Sequence, residues 1–94
     1  MAVTSVHVTA SGSVSSTPCK VLAVRGLGGA GVGTVTLNDG GSGGTSKHIE
    51  DSPNAGAFGG PIPGGGLLFA TDCYATLGGT AAPAAVTVII EDYT

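Results

Sequence analysis

The sequence predicts an all-β fold, an antiparallel β-sandwich of jelly-roll or Greek-key type with roughly six to eight short strands and Gly-rich loops. Three observations predict it. Runs of Val, Ile, Leu and Thr recur with period two, which sends alternate side chains to opposite faces of a sheet. Glycine supplies 18 of the 94 residues and clusters between those runs, where strand connections need it. No stretch carries the 3.6-residue apolar period of a helix.

The elements follow in order. Val3 to Thr9 alternates, with Val6, Val8 and Ala10 on one face and His7 and Thr9 on the other, and is read as the first strand. Ser11 to Pro18 is rich in serine and glycine and is read as a loop. Cys19 to Arg25 places Cys19, Val21 and Ala23 on one face and Leu22 and Val24 on the other. A strand apolar on both faces is expected to be central, or to have its outer face covered by a partner. Gly26 to Gly33 is a glycine-rich turn, after which Thr34 to Asn38 alternates with Val35 and Leu37 inward. Asp39-Gly40 predicts a type I′ hairpin, a turn that needs positive φ at both central residues. Thr45 to Glu50 is the returning strand, with Lys47 and Ile49 on one face and Ser46, His48 and Glu50 on the other. Its polarity predicts an edge position.

Asp51 to Gly66 has no period and holds Pro53, Pro61, Pro63 and three consecutive glycines. A structureless loop of this length is uncommon in a compact domain unless it is functional, so a partner-ordered Gly/Pro-rich arm is expected at about 51–66, anchored by Phe58. Strand character resumes in Leu67–Ala70 and Asp72–Leu77, across a kink at Thr71. Ala85 to Glu91 is the last strand, with Val86, Val88 and Ile90 on one face and Thr87, Ile89 and Glu91 on the other.

The chain fits one domain, residues 1–94, with a thin core, because a domain this small buries only ~60% of its unfolded surface. Its mean hydropathy of +0.41 with few charges leaves apolar surface wet on a free monomer. Self-association or docking on a larger body is therefore expected. The net charge of −3 argues against nucleic acid and anionic lipid as partners, and Lys20, Arg25 and Lys47 form no cluster. The start of the sequence lacks a basic segment followed by a long apolar one, so no signal peptide and a cytoplasmic site of synthesis are expected. The apolar tract from Ala81 to Ile90 is far below the ~20 residues of a membrane helix.

Candidate chemistry is sparse. Gly26 to Gly31 resembles a dinucleotide fingerprint only superficially, because a Thr/Val strand follows where a helix N-terminus would have to hold the pyrophosphate. Gly40 to Gly44 lacks the lysine of a phosphate loop. His7 and His48 stand in none of the zinc-ligand spacings and are read as surface positions. Cys73 has Asp72 and Tyr74 as neighbours, not the electropositive surroundings of a reactive thiolate. Glu50 with Asp51, and Glu91 with Asp92, point to opposite faces of their strands and so do not converge on a substrate. Two readings stand for Cys19 and Cys73: buried free thiols, which a reducing compartment favours, or a disulfide joining two strands. No catalytic, cofactor-binding or metal-ligating residue is assigned, no cofactor is expected, and the chain is read as non-enzymatic.

The order of several segments resembles small structural proteins of tailed bacteriophages. These segments are Val6-His-Val-Thr-Ala-Ser-Gly12, Ser16-Thr-Pro-Cys-Lys-Val21 leading into Ala23-Val-Arg25, and Val35-Thr-Leu-Asn-Asp-Gly40. They continue through Pro61 to Phe69, Asp72-Cys-Tyr-Ala-Thr-Leu77, Gly79-Thr-Ala81 and Ala85-Val-Thr-Val88. The sequence departs from such proteins at Thr71-Asp-Cys-Tyr74 and in the glycine and proline content of residues 51–66. The resemblance implies a virion structural protein, a capsid decoration or cement protein on the capsid surface. It also implies the major capsid protein as partner and a homo-oligomer, by analogy a trimer. The segment 51–66 and the terminal segments are the expected contact regions. The alternative is a fibre or tail-associated adhesin module for a host-surface receptor or glycan. The absence of tryptophan, with only Tyr74 and Tyr93 as polar aromatics, provides poorly for sugar stacking.

Overall fold

The computed structural model describes residues 3–92. Tyr93 and the outermost positions of both terminal segments lie outside the described residues. The described chain forms nine strands: β1 (Val3–Val8), β2 (Gly12–Ser15), β3 (Cys19–Leu27), β4 (Gly33–Asp39), β5 (Thr45–Ser52), β6 (Ala57–Pro61), β7 (Leu67–Phe69), β8 (Cys73–Gly79) and β9 (Ala85–Asp92). They build two antiparallel sheets. The first runs β1-β9-β3-β6, with β7 also on β3, and the second runs β2-β8-β4-β5. Packed together they make the expected β-sandwich. Among the ladders of the described residues only β4 and β5 join sequence neighbours, so the other strands return from a distance or from the opposite sheet.

The core lies where the alternation places it. Val35 and Leu37 of β4 and Val86 and Val88 of β9 are fully buried, and Ile90 nearly so. Val21 and Val24 of β3, Phe69 of β7 and Cys73 and Ala75 of β8 complete the buried set with Cys19 and Val14. Val6, Val8, Phe58, Leu67 and Leu77 pack around it, half-buried.

Four expectations are corrected. Ser11–Pro18 is not all loop, because Gly12–Ser15 pairs with β8 and buries Val14. Strict alternation fails within β3. Its register against β9 shifts between Val21 and Ala23, and the extra residue, Leu22, turns the following side chains over. Val24 therefore joins Cys19 and Val21 in the core, while Ala23 and Arg25 face out. The Asp39-Gly40 turn is not a two-residue hairpin, since β4 ends at Asp39 and β5 begins only at Thr45. Positive φ falls on Gly40 (106°) and Gly41 (81°). Residues 51–66, finally, are not a structureless arm. Ala57–Pro61 adds a strand beside β3 and a 3-10 turn follows at Pro63–Gly65.

The composition of that last segment then acquires a reason. Prolines cannot donate to a ladder and are tolerated at a sheet edge, where β6 lies. The Ile62 N–H donates to Leu22 O (2.8 Å) at the β3 bulge, so the 3-10 turn carries the chain past the irregularity before β7 resumes pairing on Val21, Lys20 and Cys19. Gly59 has φ 95°, and a Cβ there would run into the Val24 carbonyl oxygen. Only glycine lets the edge approach β3 so closely.

Candidate functional site

Several titratable side chains are tied into the fold singly or in pairs. At one end of the sandwich two aspartates bind each other's loops. The Asp39 carboxylate accepts from the backbone N–H of Ala70 (3.0 Å), Thr71 (3.0 Å) and Asp72 (3.3 Å). Asp72 accepts in turn from Gly40 N–H (2.8 Å) and Gly41 N–H (3.0 Å). Desolvation pushes the Asp39 pKa up, but the three N–H donors, with Lys47 adding attraction, outweigh it and hold the carboxyl below its ordinary value. This clamp explains both the kink at Thr71 and the widened β4–β5 turn, since each loop is shaped to present its amides to the other's carboxylate.

On β5 the register sets His48 opposite Leu37 and Glu50 opposite Val35, so both polar side chains share the inward face and Ile49 points out, 62% exposed. They meet as a hydrogen-bonded pair, His48 Nε2 to Glu50 Oε1 at 2.9 Å, both half-buried at the sandwich margin. Ser52 follows on the same face, buried, with its Oγ without a hydrogen-bond partner. Four residues of strand separate it from His48, about 13 Å, so the imidazole cannot serve it as a base. His7 lies on the other sheet and shares a hydrogen bond with Thr87 through Nδ1 and Oγ1 (2.9 Å). Among the described residues no group of three or more His, Cys, Asp or Glu is placed to hold a metal ion. No helix among them is long and apolar enough to cross a membrane.

The two cysteines do come together, which sequence spacing could not decide. Both are free and fully buried, Cys19 at the start of β3 in one sheet and Cys73 at the start of β8 in the other. Their side chains adjoin within one buried cluster, with Ser15 beside Cys19. Burial raises both pKa values, that of Cys73 to about 12.

What remains for recognition is surface, and the two outer faces differ. Facing out from the second sheet are Thr34, Thr36, Thr76 and Tyr74, with Ile49 among them. The outer face of the first sheet is more apolar. Its register aligns Val3, Glu91, Lys20 and Leu68 in one cross-strand row and Ser5, Ile89, Ala23 and Pro61 in the next. His7, Thr87, Arg25 and Gly59 form a third row, and Ala85, Leu27 and Ala57 a fourth. Val3 is 62% exposed, Leu27 49% and Leu68 48%. A shallow depression of about 370 Å³ lies there, lined by His7, Arg25, Gly26, Leu27, Ala85 and Thr87. The β3 bulge brings Arg25 to this face. Reading β3 without it still sends Arg25 to one face, but to the wrong company. Compared with protein-family models, with curated proteins and with solved structures, the chain matches none of them.

Proposed function

We propose that the protein is a non-enzymatic structural subunit that docks through the outer face of the β1-β9-β3-β6 sheet. The observation that carries this reading is the exposure of Val3, Leu27 and Leu68 around the small residues Ala23, Pro61 and Ala85, with Arg25 among them on an otherwise acidic chain. Apolar surface left in water at this density is stabilised by a covering partner. The one depression described on this face is open rather than enclosing, which suits a protein surface better than a small molecule.

The resemblance to small structural proteins of tailed phages makes the proposal specific: a decoration or cement protein on the capsid exterior, self-associated, with the major capsid protein as its partner. Its work would be burial of this face across a joint between capsid subunits, so that internal pressure must break added contacts before the subunits part. The test compares capsids with and without the protein, measuring occupancy and the temperature of DNA release, and repeats it with Leu27→Glu and Leu68→Glu. Reduced occupancy by the variants and earlier DNA release without the protein are expected. Particles that resist heat equally well without it but fail to adsorb to cells would replace the cement reading with the adhesin one.

A further inference from the structure

We propose that Cys19 and Cys73 are a latent inter-sheet staple, two buried thiols that close to a single intramolecular disulfide when the chain meets a disulfide oxidant. Three features carry this. The two cysteines are fully buried in one core cluster and reach it from opposite sheets, so the bond would join the halves of the sandwich directly. Each cysteine is the first residue of its strand, next to a loop, and the bond requires the sulfurs to be drawn to roughly 2.05 Å. The β2–β8 ladder is irregular between Ser13 and Ser15, and Ser15 is the partner of Cys73, so Cys73 does not sit in an unbroken ladder.

The chemistry is exchange with a small disulfide such as oxidised glutathione. One cysteine thiolate attacks a glutathione sulfur, forming a mixed disulfide and releasing the first glutathione thiolate. The second cysteine thiolate then displaces the remaining glutathione, forming the Cys19–Cys73 bond. Two protons leave the cysteines and end on the two glutathione thiols, and the two electrons lost by the protein reduce glutathione disulfide. Burial keeps both thiols protonated and away from the oxidant in the closed sandwich, so the bond forms during folding or in transient openings.

The test takes the reduced full chain and incubates it with oxidised glutathione, with and without a urea concentration below the unfolding midpoint. Expected are loss of two hydrogen atoms by intact mass, a peptide linking Cys19 to Cys73, faster closure in urea, and a rise in Tm of at least about 10 °C that reductant reverses. A rise of that size is what closing a loop of about 55 residues amounts to in a domain of this length. Cys73→Ala should abolish the oxidant-dependent rise, and the wild-type measurements stand by themselves if that variant does not fold. Two titratable thiols after unfolding and refolding with the oxidant would overturn the proposal. So would cross-linked dimers in place of the internal bond, or an internal bond that lowers Tm.

Discussion

Phe58 and Phe69 are the two phenylalanines, and the fold assigns them unequal weight. Phe69 is fully buried, paired in register with Cys19 and packed among the side chains of both sheets, whereas Phe58 is half-buried at the edge strand β6. Truncating a buried phenylalanine to alanine costs about 3–5 kcal/mol, because the ring's transfer energy is lost and a cavity remains. Phe58 is already partly wet, so Phe58→Ala is expected to cost about 1–2 kcal/mol. For a chain of this length, total stability of roughly 5–14 kcal/mol follows from typical per-residue values, so Phe69→Ala removes a large share of it. Equilibrium urea unfolding followed by far-UV circular dichroism measures both, with unchanged m values as the check that the same cooperative unit unfolds. Phe69→Ala should lower Tm by about 12 °C or more, and Phe58→Ala by roughly half that or less. Equal losses, or a larger loss from Phe58→Ala, would refute the placement of β7 in the interior.

Further consequences can be measured on single variants. Gly59→Ala forces a side chain into positive φ and against the Val24 carbonyl, and should cost at least about 2 kcal/mol in thermal or urea unfolding. Because its folded pKa is depressed, the Asp39 clamp contributes stability that is fully present above the unfolded value of ~3.9 and is lost as pH falls through the folded one. Tm against pH should therefore drop more steeply on acidification below about pH 4 in the wild type than in Asp39→Asn. Leu27→Glu should leave stability within about 0.5 kcal/mol in urea unfolding, because the side chain is half in water already. Ethylenediaminetetraacetate should leave Tm unchanged.

The legible parts of this fold are those where one face alternates without interruption. β4 and β9 were readable because Val35/Leu37 and Val86/Val88/Ile90 keep strict period two and every inward position is buried. β5 was readable as an edge from its polarity, although the polarity says nothing of which face turns inward. β3 was readable as a strand but not face by face, since a bulge is a property of the pairing with β9 and leaves no mark in Lys20-Val-Leu-Ala23. β2 offers four residues and one apolar side chain, too few to show a period, and exists because β8 supplies its hydrogen bonds. β6 hides for the opposite reason. Its two glycines and one proline suit a close-packed edge, and read alone they look like a loop. The meeting of Cys19 with Cys73 depends on how two sheets are stacked, which no local pattern encodes.

The same distinction bears on where function lies. Most polar side chains that could do chemistry are already spent on local structure: Asp39 and Asp72 on each other's loops, His48 on Glu50, and His7 on Thr87. Asn38 binds Ser42 O and the Ser46 hydroxyl, and Ser11 exchanges hydrogen bonds with the Leu77 backbone. Glycine-rich connections explain this use, because loops with few side chains have little to pack and are held by carboxylates and hydroxyls reaching in from neighbouring strands. A thin core and tethered loops thus leave the outer face of β1, β9, β3 and β6 with exposed apolar side chains that do not hold the chain together. Its exposed leucines, Leu27 and Leu68, flank β3 residues that the bulge turns outward, so the irregularity that spoils the alternation of β3 also shapes the face proposed to meet a partner.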